Sequence, residues 1–175
     1  MIRRLRALLS KQEVERQPFS LEQAVSDIEP LLHAGARRRQ ATVDLRPVPT
    51  AVTVVGDRIQ IQQVLINLVL NALDAVADVP EERRTVVVAF ENTPGGIAIA
   101  VRDRGHGVAP EHMPKLFESF FSTKRKGMGM GLSITRTLVA AHGGRIWAEN
   151  NPEEGAVFHV ELPAGPTGIP SSGTR

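Results

Sequence analysis

TVVVAFENTPGGIAIAV, residues 85–101, decides the fold. Thr85–Phe90 and Ile97–Val101 are β-branched or apolar runs. Between them, Asn92-Thr93-Pro94-Gly95-Gly96 is rich in turn formers, so the stretch reads as an antiparallel hairpin. Further along, Arg145–Glu149 and Ala156–Leu162 form a second predicted hairpin. Upstream, Thr42–Leu45 alternates, and Val52, Val54 and Val55 make another short β-branched run. Three helices separate these strands. The first starts at Ser20, with Gln23 at capping-box spacing, buries Leu21, Val25, Ile28 and Leu32, is expected to kink at Pro30, and runs to about Arg39. The second, Arg58–Ala77, opens after Gly56-Asp57; the third, Leu132–His142, is stopped by Gly143-Gly144. A short helix is expected near Glu111–Leu116. Hairpin links predominate and the regular βαβ alternation is missing. The expected fold class is an α/β two-layer sandwich, with helices on one face of a mixed, mainly antiparallel sheet.

The 175 residues suit one domain with an appendage, and the 42% apolar fraction supplies an ordinary core, necessarily aliphatic because aromatics are only 4%. Zero cysteines exclude disulfides and thiolate metal sites. The net charge is +2, and the basic runs at Arg3, Arg4, Arg6 and at Arg37–Arg39 are short, as on solvated helix faces; no nucleic-acid partner is expected. The best apolar run, Val64–Ala77, contains Asn67, Asn71 and Asp74, so no membrane contact by this segment is expected and a cytoplasmic location is. Ile2, Leu5, Leu9 and Gln12 recur at helical spacing without an N-cap, as at the end of a longer helix. Beyond Pro163, PAGPTGIPSSGTR has the composition of a disordered tail.

Three clusters carry chemistry. Asn67 and Asn71, in INLVLNALDA, stand four apart on one helix face among apolar neighbours. Buried amides need partners, and a carboxamide oxygen is a hard neutral ligand suited to Mg²⁺ that already carries phosphate oxygens. The pair also fits an ordinary helix surface. Asp103 follows a predicted strand and precedes Gly105 and Gly107. A carboxylate there can accept from an exocyclic amine, selecting adenine over guanine, while the glycines let a flat ring approach the backbone. Asp-x-Gly is equally a common turn. Gly127, Gly129 and Gly131 precede the third helix, and free N–H groups at a helix N-terminus suit a polyphosphate; a plain linker is the alternative. Phe120 and Phe121 suggest an anchored lid hinge, and Lys124 is the nearest candidate cation for the phosphates, although such a lysine also fits a solvated surface. The five histidines have no metal-ligand spacing.

In order, NLVLNALDA, DRGHGV, LFESFFSTK and GMGMGLSITRTLVAAHGG resemble the N, first-glycine, F and second-glycine boxes of the catalytic and ATP-binding domain of bacterial sensor histidine kinases, nearest the oxygen-sensing and nitrogen-regulatory class. The resemblance spans roughly residues 20–163 and implies the Bergerat fold of the GHKL ATPases. It implies Asn71 as Mg²⁺ ligand with Asn67 as its catalytic companion, and Asp103 on the adenine amine. Gly105 and Gly107 would pass beneath the base; Gly127, Gly129, Gly131 and Leu132 would cover the phosphates, with Phe120 and Lys124 beside them. The cofactors implied are ATP and Mg²⁺. The partners implied are the histidine-bearing dimerisation domain and a response regulator; this chain is expected to be a monomer and the full-length protein a homodimer. Asp74-Ala75 stands where many members carry Lys-Tyr or Arg-Tyr, and no histidine here fits the acceptor motif. Residues 1–17 are therefore expected to end a dimerisation helix, 18–163 to form the catalytic domain and 164–175 the tail. The expected reaction is γ-phosphoryl donation to a histidine on another domain. The alternatives are an ATP-gated regulatory module without transfer and a gyrase-type hydrolase. The last is disfavoured because an amide, Asn67, stands where those enzymes place a general-base glutamate.

Overall fold

The computed structural model describes residues 16–50, 52–119, 121 and 130–165. The expected helix at Ile2–Gln12 lies outside them, as do residues 166–175 of the expected tail 164–175; Ala164 and Gly165, its first two residues, donate to Gly95 O and Thr53 O.

β1 (Gln17–Ser20) is a strand that the sequence does not announce. It pairs antiparallel with β3 (Thr53–Gly56), from Gln17 opposite Gly56 to Ser20 opposite Thr53. Proline is tolerated in so short an edge strand because the missing N–H need not serve a ladder. Ser20 then caps α1 (Leu21–Arg37), its Oγ accepting the Gln23 N–H at 3.2 Å. The Gln23 side chain donates to Asp27 instead of returning to Ser20, so only half of the expected capping box forms. The helical run continues through Pro30. It ends two residues before the expected Arg39, and Gln40 follows with φ 52°.

α2 (Arg58–Ala75) starts where Asp57 Oδ1 accepts from the Ile59 and Gln60 amides at 2.8 and 3.1 Å. Ile61, Val64, Leu65, Leu68, Val69, Ala72 and Leu73 recur at i, i+3, i+4 spacing and are all buried, so they form one broad apolar face that packs toward the sheet. α1 packs along it, Gln62 donating to Ala24 O at 2.9 Å and Asp27 pairing with Arg58. α3 (Gly131–Ala141) packs on its other flank.

The larger sheet is ordered β2-β4-β5-β7-β6, where β2 is Thr42–Leu45, β4 Thr85–Thr93, β5 Gly96–Arg102, β6 Arg145–Asn150 and β7 Ala156–Pro163. Only β2–β4 is parallel; every other pairing in it is antiparallel. Both expected hairpins form. The β4–β5 ladder reaches Thr93 opposite Gly96, so its turn closes on Pro94 and Gly95. One sheet face supplies Val43, Val86, Val88, Ile97, Ile99, Val101, Phe158, Val160 and Leu162 to the core beneath the helices. The expected helix near Glu111–Leu116 is a single 3₁₀ turn, Met113–Lys115. No helix among the described residues is long and apolar enough to cross a membrane.

The far end of α3 is fastened in two places. His142 is only 7% exposed, with Nδ1 2.8 Å from Leu138 O and Nε2 3.0 Å from the Asp57 amide. The Asp57 N–H can only donate, so Nε2 accepts it and the proton sits on Nδ1. The Arg16 guanidinium donates to Ala141 O at 2.6 Å, which satisfies a carbonyl of the last turn. His142→Ala is expected to lower unfolding stability by about 2–3 kcal/mol in urea titrations, through an orphaned buried amide and a cavity beside Gly56. A loss below about 0.5 kcal/mol would remove His142 from this bracing role.

Candidate nucleotide site

Asp103 is 2% exposed just beyond β5. Its Oδ1 accepts the Gly105 N–H at 2.8 Å and the Ala156 N–H at 3.2 Å. Oδ2 accepts no hydrogen bond among the described residues. Burial pushes the carboxyl pKa up, and the two amide bonds lower it by less. The result is a carboxylate held in one orientation, with one oxygen satisfied and one available to a donor. The turn reading is partly right, because the Gly105 bond is an Asx-type bond two residues on. Burial and the Ala156 bond take Asp103 beyond a surface turn.

Gly105 lies against the end of α2. A Cβ there would stand 2.5 Å from Ala75 O, so only glycine allows this approach. Gly107 has φ 71°, a region that glycine enters without cost. The chain beyond it is clamped by Asn150, whose Oδ1 accepts the Val108 N–H and whose Nδ2 donates to Val108 O, both at 2.8 Å. His106, within the same cluster, is exposed.

Asn67 and Asn71 are both half-buried on α2, one turn apart. Asn67 Nδ2 donates to Thr135 Oγ1 at 2.7 Å, and Thr135 donates to Gly131 O at 2.8 Å. A Cβ on Gly131 would lie 2.8 Å from Asn67 Oδ1. Asn67 therefore meets the first turn of α3, the helix that follows the second glycine cluster. Leu132 is half-buried against the core from the same turn. Asp74, one turn beyond Asn71, accepts from Arg39 Nε and pairs with its terminal nitrogen, both at 2.7 Å. A guanidinium thus reaches this part of α2 from the end of α1, which compensates the acid at a position where a basic residue is common in the resembled family.

The site residues so far described, Asn67, Asn71, Asp103, Gly105, Gly107, Gly131 and Leu132, lie on α2, the loop after β5 and the start of α3. Phe120, Lys124, Gly127 and Gly129 lie outside the described residues. Sequence reading missed Thr135, Ala156, Asn150 and Arg39. Thr135 alone had a local signal, a hydroxyl one helical turn beyond Gly131; the others arrive by tertiary pairing. Among the described residues no three His, Asp or Glu side chains converge as a metal site. The half-buried Asn71 carboxamide offers a hard neutral oxygen, a donor type that suits Mg²⁺.

The fold and this constellation define an ATP-binding domain: the chain belongs to the histidine kinase-, DNA gyrase B- and HSP90-like ATPase family, whose pattern matches residues 56–166. Among its relatives, the sensor protein FixL of Bradyrhizobium diazoefficiens is 44% identical over 94% of this chain and 32% of its own length. The solved catalytic domain of histidine kinase ThkA is 32% identical with a TM-score of 0.74, covering 85% of this chain and 95% of that one. ThkA in complex with the response regulator protein TrrA matches at 28% identity and a TM-score of 0.74, over 94% of this chain and 46% of that one. The chain spans 32%, 17% and 30% of the length of the first three curated relatives it matches, a third or less of each.

Proposed function

We propose that this chain is the catalytic ATP-binding part of a two-component sensor histidine kinase, transferring the γ-phosphoryl group of ATP to a histidine on a separate dimerisation domain. The observation that carries the reading is Asp103, buried and oriented by two amides, with one oxygen left for a donor. Asp103 takes the adenine amine, and Gly105 and Gly107 underlie the base. Asn71 ligates Mg²⁺, and Asn67 holds α3 against the site. The segment of Gly127, Gly129 and Gly131 covers the phosphates, with Phe120, Lys124 and Leu132 beside it. When bound, Mg²⁺ neutralises phosphate charge; the chain's own part is to position the nucleotide and exclude water. Residues 18–163 form this catalytic unit, and the segment before Arg16, outside the described residues, belongs with the dimerisation domain; Gln17, expected at the end of that helix, is instead the first residue of β1. The partners are that dimerisation domain and a response regulator, in the cytoplasm.

The test is direct. Mixed with ATP, Mg²⁺ and a separate acceptor hairpin from a related kinase, the chain is expected to yield acid-labile phosphohistidine on the hairpin. Tight ATP binding with no transfer to any acceptor would establish a gated binding module instead. Rapid release of inorganic phosphate without acceptor would point to a hydrolase.

A further inference from the structure

The two amides that orient Asp103 come from different places. Gly105 belongs to the loop after β5, and Ala156 opens β7 at the end of the β6–β7 turn. One side chain ties both places together. Arg83, in the 3₁₀ turn Glu81–Arg83 that follows α2, donates from one terminal nitrogen to Arg104 O at 2.9 Å and to Gly105 O at 3.5 Å. The same nitrogen pairs with Glu154, two residues before Ala156. Glu154 itself is held at φ 94°, a costly conformation for a residue with a Cβ, and one that persists only where its surroundings fix it. That nitrogen carries two N–H donors, which serve the Arg104 carbonyl and the Glu154 carboxylate, with the Gly105 carbonyl at the edge of hydrogen-bond range.

We infer that Arg83, braced by Glu154, is a positioning residue for base selection: it holds together the two backbone segments whose amides aim the Asp103 carboxylate. This rests on the reading of Asp103 as the adenine acceptor. Among the described residues, none of its hydrogen bonds or ion pairs falls on Asn71, Gly131 or the start of α3. Its loss should therefore act on the base end of the nucleotide and spare the phosphate end.

The test compares wild type with Arg83→Met, which keeps the aliphatic stem, and Arg83→Lys, which keeps the charge on a shorter reach. Calorimetry measures ADP, GDP and inorganic tripolyphosphate, each with Mg²⁺, well below the unfolding temperature. The expected result for Arg83→Met is an ADP affinity about tenfold weaker, a narrowed preference for ADP over GDP, and unchanged tripolyphosphate affinity; Arg83→Lys should fall between. An unchanged ADP-to-GDP preference would overturn the inference, and so would an equal loss for ADP and tripolyphosphate. If Arg83→Met does not fold, Arg83→Gln is judged by the same criteria; if neither folds, Arg83 serves stability and the inference fails. A wild type without adenine preference would instead overturn the reading of Asp103 itself.

Discussion

Asp103→Asn is expected to weaken ATP binding by about 10³–10⁴-fold while leaving the protein folded. Both backbone bonds to this side chain end on Oδ1, which asparagine also provides. The change falls on the second oxygen, which becomes an NH₂ group facing the adenine amine, donor against donor. Stability should move the opposite way. Burial raises the pKa of Asp103 more than its amide bonds lower it. Its ionisation is therefore harder in the folded chain than in the unfolded one. That penalty is absent below the unfolded-state pKa and grows as pH rises through the folded-state pKa. Asparagine carries no such penalty, so the variant should be at least as stable as wild type at neutral pH, with the difference shrinking toward about pH 3. Calorimetric titration with ATP and urea melts at the two pH values check both halves. Normal ATP binding by the variant would remove Asp103 from base recognition.

Asn71→Ala should separate metal-dependent from metal-free behaviour. Phosphoryl transfer to an acceptor hairpin in the presence of Mg²⁺ is expected to fall by about 10²-fold or more, because the oxygen proposed to ligate the metal is lost. Binding of ADP in the presence of a chelator should be nearly unchanged, since the base and its acceptor are untouched. Asn67→Ala is the informative contrast. Its amide joins Thr135 and abuts Gly131, so its removal should loosen the start of α3 with or without metal. Equal losses for Asn71→Ala in both conditions would exclude it as a ligand.

The parts of this molecule that were legible in its sequence are those governed by local rules. Both hairpins of the larger sheet follow from β-branched runs around turn formers, and α1, α2 and α3 from apolar periodicity and caps. β1 was not legible, because QPFS has no alternation, its proline reads as a breaker, and its partner β3 lies beyond α1 and β2. The site divides the same way. The order of the asparagines and glycine clusters pointed to the pocket, and Asp103 stood out by its place after a strand. The side chains that hold the pocket in shape did not. Arg39 meets Asp74 across 35 positions, Asn150 meets Val108 across 42, and Ala156 meets Asp103 across 53. Nothing in a local window announces a tie made only when the sheet closes. The basic run at Arg37–Arg39 shows the difficulty: it reads as a solvated helix end, yet Arg39 is spent on an internal acid.

Arg16, immediately before β1, is hooked to the last turn of α3. β1 follows at once and is stitched to β3, whose end leads to the Asp57 amide held by His142. Arg16 and β1 are thus welded to the rear of a rigid rod whose front tip lies at Gly131, against Asn67. A twist or tug applied at Arg16 passes straight into these ties. It arrives at the back of that rod, one helix length from Asn67.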